Sequence, residues 1–130
     1  MIAVDTNVLL RLVVADNEQQ NKRAAAFFAE RSPADPAYIS EMTLAEFVWV
    51  LRSSYKFDRD SLVSVLTHLL ATEDLLFAKA DEIRAALVHD AKGDVADRLV
   101  AQFARSAGCI KTVTFDRHAA RTVEGMELLK

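Results

Sequence analysis

Five acidic residues stand where their type and spacing could do chemistry: Asp5, Glu46, Asp94, Asp97 and Asp116. Asp5 and Asp116 each close a short apolar run, residues 2–4 and 109–115. In α/β sheets, ligands bind just beyond the carboxyl ends of the strands, so these two acids are candidates for one crevice. Asp94 and Asp97 are three residues apart at the start of an expected helix, which sets them on one face near the positive end of its dipole. Glu46 lies among Leu44, Phe47 and Val48, a position expected to be partly buried. Carboxylates converging on one point repel one another unless a cation holds them, and hard ions such as Mg²⁺ or Mn²⁺ prefer oxygen ligands. Such an ion activates water for in-line attack on a phosphodiester and steadies the leaving oxygen. The chemistry expected is hydrolysis without a protein nucleophile.

Each acid also has a structural use. Asp5 can cap a helix that begins near residue 7, Asp94 after Gly93 is a common N-cap, and Asp116 can cap the helix after it. Glu46 stands three residues after Thr43, the capping-box spacing. Asp97, inside its helix, has no such use.

The elements that must position these acids follow in order. Residues 2–4 read as a strand, then a helix capped by Thr6 or Asn7 with Val8, Leu9, Leu12 and Val13 on its apolar face. Asn17 caps a helix that ends before Pro33 and Pro36, since proline lacks a donor and restricts its predecessor. Residues 38–40 read as a strand, Thr43 as the cap of a helix through Leu51, and Asp58 or Asp60 as the start of one through Leu70. A strand at 75–77 and a helix at 79–90 come next. Gly93 breaks that helix, a further one runs from Asp94 to Gly108, and a strand spans 109–115. A short helix from Arg117 and a strand near 126–129 complete the pattern. Strands separated by helices predict a parallel sheet with helices on both faces, because parallel strands need crossover connections.

The totals restrict the class. A chain of 130 residues with 52% hydrophobic content fits one domain with a continuous core, residues 1–130. Net charge is −3, from 16 Lys and Arg against 19 Asp and Glu, so any RNA contact must use a local patch. The lone Cys109 excludes an internal disulfide and is expected to be buried, as suits a reducing cytoplasm. No apolar stretch reaches the roughly 18 residues that span a bilayer, and the N-terminus shows no leader pattern, so no membrane association is expected.

Taken together, MIAVDTNVLLRL, TLAEFVWVL around Glu46, GDVADRLVAQFARSAGC around Asp94 and Asp97, and TVTFDRHAAR around Asp116 resemble the PIN-domain motifs of VapC-type toxins, in family order along nearly the whole chain. The resemblance implies a three-layer α/β sandwich and a Mg²⁺- or Mn²⁺-dependent endoribonuclease. It implies Asp5, Glu46, Asp97 and Asp116 as catalytic acids, with Asp94 as an additional acid, and Asp5, Asp94, Asp97 and Asp116 as metal ligands. Thr6, Asn7 and Thr114 resemble the polar positions that orient carboxylates and water. A homodimer and a VapB-like antitoxin that covers the site are implied as well. Val95 stands where the family usually has an aromatic, and Arg98 replaces the usual small residue.

Other residues carry weaker signals. His68, His89 and His118 lack the spacing of a transition-metal site. Trp49 is expected in the core by helical spacing, and Arg11, Arg52, Lys56, Arg98, Arg117 and Arg121 are candidates for holding phosphates. A phosphoacceptor receiver module would need an aspartate closing a mid-chain strand, and residues 37–80 show none; a haloacid-dehalogenase motif meets Asn7 where its second acid should be. A PIN fold kept only as a binding module would have no need of all five acids.

Overall fold

The computed structural model describes residues 1–88 and 91–130 and divides the chain into two compact units, Met1–Ala78 and Lys79–Lys130. In the first unit, strand β1 (Ile2–Ala3), helices α1 (Thr6–Leu10) and α2 (Glu18–Ala29), strand β2 (Ala37–Ile39), helices α3 (Glu41–Ser53) and α4 (Arg59–Leu70) and strand β3 (Leu75–Phe77) follow in order. The second has α5 (Ala80–Ala86), α6 (Val95–Ser106), β4 (Thr112–Thr114), α7 (Arg117–Thr122) and β5 (Met126–Leu128). The α/β class with parallel pairing is as expected: β1 pairs with β2 and β2 with β3, while β4 pairs with β5, all in parallel. Each pairing is bridged by one or two helices, the crossover that parallel strands require.

In the first unit β2 is central, with Ala37 opposite both Ile2 and Leu75. Ala37 and Ile39 are fully buried, as expected of a strand covered on both sides. Helices α3 and α4 supply the largest core side chains, Leu44, Phe47, Leu51, Leu62 and Leu66, at the 3–4-residue intervals of one helix face. Both helices begin on side-chain caps: Ser40 Oγ accepts from Thr43 N at 3.2 Å and Asp58 Oδ1 from Ser61 N at 2.8 Å. Asn17 caps α2 as predicted, through Gln20 N at 3.0 Å.

In the second unit α5 packs on α6, and α7 packs on both β4 and β5. Ala101, Ala119, Val123 and Met126 form one buried cluster. Helix α6 ends in a left-handed turn at Gly108, φ 99°, where Gly108 N donates to Arg105 O (3.0 Å) and Cys109 N to Ala104 O (2.9 Å), the paired bonds of a Schellman motif.

Several expectations are corrected. Ser40, not Thr43, caps α3, because the helix starts a turn earlier than the apolar pattern alone implied, and this removes the capping-box role from Glu46. The strand expected over 109–115 is confined to 112–114, since the Schellman turn consumes Cys109. Cys109 is therefore exposed rather than buried. Trp49 is 61% exposed, on the side of α3 opposite Phe47 and Leu51. The helix expected over 79–90 is observed as Ala80–Ala86; its predicted end, with His89, lies outside the described residues.

Candidate active site

Asp5 stands one residue beyond β1 and is the N-cap of α1, its Oδ1 accepting from Thr6 N at 2.8 Å. The carboxylate is exposed, while Thr6 beneath it is buried and Asn7 is exposed beside it. Val4 N donates to Tyr38 O (3.1 Å), which locks the turn leading to Asp5 against β2. Glu46 belongs to the same unit, on α3, which packs against α1. It is exposed, not partly buried as expected: Leu44, Phe47 and Val48 turn into the core and Glu46 turns outward with Ala45 and Trp49. An exposed carboxylate needs no compensating cation to exist, so burial gives no argument for its role.

The second unit holds the other three acids. Asp94 is the N-cap of α6, with Oδ1 accepting from Ala96 N at 3.0 Å and from Asp97 N at 3.3 Å. Asp94 and Asp97 are thus joined through a backbone amide in the first turn, both half-buried, where the positive end of the helix dipole favours negative charge. The next residue, Arg98, is buried and donates from Nη2 to Val88 O at 3.0 Å. Asp116 caps α7 through Ala119 N at 3.0 Å, and its own amide donates to Thr114 Oγ1 at 3.0 Å. Thr114 therefore fixes the backbone of Asp116, which is an orienting contact of the kind the sequence suggested for it.

The same local device occurs in both units: a short parallel strand, an aspartate, then a helix whose amide the aspartate accepts. Oδ2 of Asp5 and of Asp116 has no hydrogen bond to any described residue. A donor set made wholly of carboxylate oxygens has the chemistry that suits a hard divalent cation. Among the described residues, however, no group of three His, Cys, Asp or Glu stands together so as to hold a metal ion by itself. His68 and His118 are exposed and join no such group.

One feature of the first unit was invisible in the pattern. Arg11, on the turn after α1, has a side chain only 7% exposed and is ion-paired with Asp16. Asp16 in turn accepts from the Tyr55 hydroxyl at 2.6 Å. The Tyr55 hydrogen bond, then that of Arg11, holds the Asp16 carboxyl below the usual range. Tyr55 lies 39 residues from Asp16, and no local signal announces such a contact. The Arg11 Nε is buried with no hydrogen-bond partner among the described residues. Leaving such a donor unmade costs about 1–3 kcal/mol. Arg11 also lines a cleft of about 360 Å³ between β1, α1 and α2, whose wall includes Asp5.

Residues 2–125 match the family model of the PIN domain. No curated protein matches the chain. Among solved structures, the chain is similar to the crystal structure of Mycobacterium tuberculosis VapC20, a sarcin-ricin loop cleaving toxin, at 20% identity over 93% of this chain and 94% of that one, with a TM-score of 0.43. Among the described residues, no helix is long and apolar enough to cross a membrane.

Proposed function

Because the chain belongs to the PIN-domain family, we propose that it is an endoribonuclease that hydrolyses RNA phosphodiester bonds with Mg²⁺ or Mn²⁺. In this reading it is the toxin of a VapC-type pair, neutralised by a VapB-like antitoxin, and acts in the cytoplasm as a homodimer. The observation that carries the proposal is the repeated strand–aspartate–helix device at Asp5 and Asp116. It offers carboxylates where a phosphodiester and its cation meet in this family. The family match runs through both units, which supports taking residues 1–130 as one working domain.

The roles follow from the chemistry of each side chain. Asp5, Asp94, Asp97 and Asp116 are assigned to the cation, and Glu46 to aligning the attacking water. Thr6, Asn7 and Thr114 orient the carboxylates. Mg²⁺ is commonly held by one or two carboxylates together with substrate phosphates. Acids that form no three-ligand cage of their own are consistent with an ion that arrives with the RNA. Once bound, such an ion lowers the pKa of water and offsets charge on the leaving oxygen. The exposed Met42 and Trp49 on α3 support a protein contact there, by the dimer partner or the antitoxin.

Purified protein incubated with RNA and Mg²⁺ or Mn²⁺ is expected to cut it, and Asp5→Asn and Asp97→Asn are each expected to lower the rate by about 10²–10³-fold, the usual cost of losing one electrostatic partner of the reacting group. Equal cleavage by all three proteins would reject the mechanism. An unaltered protein that binds RNA or an antitoxin but never cuts would favour the silent binding module instead.

A further inference from the structure

The cleft between β1, α1 and α2 is not accounted for by phosphodiester hydrolysis alone. Its volume, about 360 Å³, lies in the range of small-ligand sites. Its walls combine apolar surface from Val8 and Phe27 with polar groups from Asp5, Arg11, Gln20 and Arg23. Arg31 lies over the Phe27 ring at 4.7 Å and Phe28 meets it edge-on, with centroids 5.2 Å apart, so the aromatic wall is braced.

Charge decides what class of group belongs there. Arg11 is balanced by Asp16, and Arg23 by Asp5 on the same wall, so the cleft and its immediate support carry no net charge. A second phosphate would gain little from such a site. An uncharged, flat group with a hydrogen-bond acceptor on its edge fits better, since it meets an aromatic wall and satisfies the Arg11 Nε–H that has no acceptor among the described residues. Nucleobases have this chemistry: a π-face that stacks and carbonyl or ring-nitrogen acceptors on the edge. Asp5 on the cleft wall puts the base beside the bond to be cut.

We propose that this cleft receives one unstacked base of the RNA, next to the cleaved phosphodiester, and that Arg11 reads an acceptor on its edge through Nε–H. The inference rests on the endoribonuclease reading above and adds a specificity subsite to it. Arg11 is a positioning residue here; the ion pair with Asp16, held by Tyr55, keeps its guanidinium from swinging to the scissile phosphate.

The test uses the full chain and a set of oligoribonucleotides alike except at the nucleotide flanking the cut, which is first mapped on a mixed-sequence RNA cleaved by the unaltered protein. That nucleotide is A, C, G, U or an abasic residue, and kcat/KM is measured for each. The abasic RNA is expected to react about tenfold or more slowly than the best base, the scale of one lost stacking contact. Arg11→Lys keeps a cation for Asp16 but has no Nε–H, and is expected to flatten the preference among the four bases. Phe27→Leu keeps the apolar volume without the ring and is expected to bring the best base down toward the abasic rate. Lys22→Ala, on α2 but outside the cleft, is expected to leave the preference unchanged. Abasic RNA cut as fast as the best base by the unaltered protein overturns the inference without needing any variant. So does full base discrimination in both cleft variants, including the case in which those variants lose only a protein partner. RNA left uncut by the unaltered protein sinks the endoribonuclease reading, and this subsite with it.

Discussion

In residues 1–78 the side chains withdrawn from water are large: Leu9, Ile39, Leu44, Phe47, Leu51, Leu62 and Leu66 are essentially fully buried. In residues 79–130 the buried set is mostly smaller, with Ala86, Ala101, Ala119, Val95 and Val123 beside Ile83 and Met126. The first unit holds its acids on top of a bulky core, with Val4 and Thr6 buried on either side of Asp5. The second holds Asp94, Asp97 and Asp116 largely through caps, turns and the Thr114 hydroxyl. Similar strand–aspartate–helix geometry is thus secured by volume in one unit and by backbone detail in the other.

Substitutions that attack volume or backbone separately should pull this contrast apart. The largest stability loss is expected from Phe47→Ala, about 3–5 kcal/mol by the cost of emptying an aromatic core site. Val95→Ala, its counterpart on α6, should cost about 2 kcal/mol, in keeping with the smaller area lost. Urea unfolding of both variants measures the difference, and equal losses would erase the distinction drawn here. The glycines of the second unit come next. Gly93 has φ 97°, and a Cβ there would lie 2.5 Å from Val123 Cγ2, so Gly93→Ala combines a left-handed backbone with a steric clash and should cost about 3 kcal/mol. Gly108 has φ 99° but open space around it, so Gly108→Ala should cost about 1 kcal/mol. If the two losses match, the close approach of Gly93 to Val123 contributes nothing.

The smallest effect is electrostatic and compares exposed acids. The backbone amide of Ser61 lowers the Asp58 carboxyl, the Tyr55 hydroxyl lowers that of Asp16, and the Ser106 hydroxyl lowers that of Glu82. A folded-state value below the unfolded one stabilises the native form fully above the unfolded values, 3.8 for Asp and 4.5 for Glu, and this is lost as pH falls through the folded value. The midpoint of thermal unfolding should therefore fall on acidification below those values. Asp58→Asn and Asp16→Asn should make that fall shallower in the first unit, and Glu82→Gln in the second. Unchanged slopes in all three would show that these hydrogen bonds do not persist in solution.

Much of the scaffold was legible from local chemistry. The caps at Asn17, Asp58 and Asp94 were readable because a short acceptor ahead of an apolar period has few other uses, and residues 75–77 because three apolar residues stood between turn signals. Other features escaped the pattern for equally local reasons. Ser40 outcompeted Thr43 because either hydroxyl can cap, and the choice depended on where β2 released the chain. Cys109 was drawn out of the core because Gly108 closed α6 with two bonds that used its backbone.

The order of the strands, the acids placed at their ends and the membership of a nuclease family were all written in the sequence, because hydrophobic period, capping chemistry and motif order are properties of neighbouring residues. Tertiary structure alone decided that Glu46 and Trp49 face outward, that Thr114 holds the amide of Asp116, and that Arg11 is caught between Asp16 and Tyr55 beside a cleft. Those outcomes depend on which side of a helix meets the core and on partners up to tens of residues away, and a one-dimensional pattern carries no record of either.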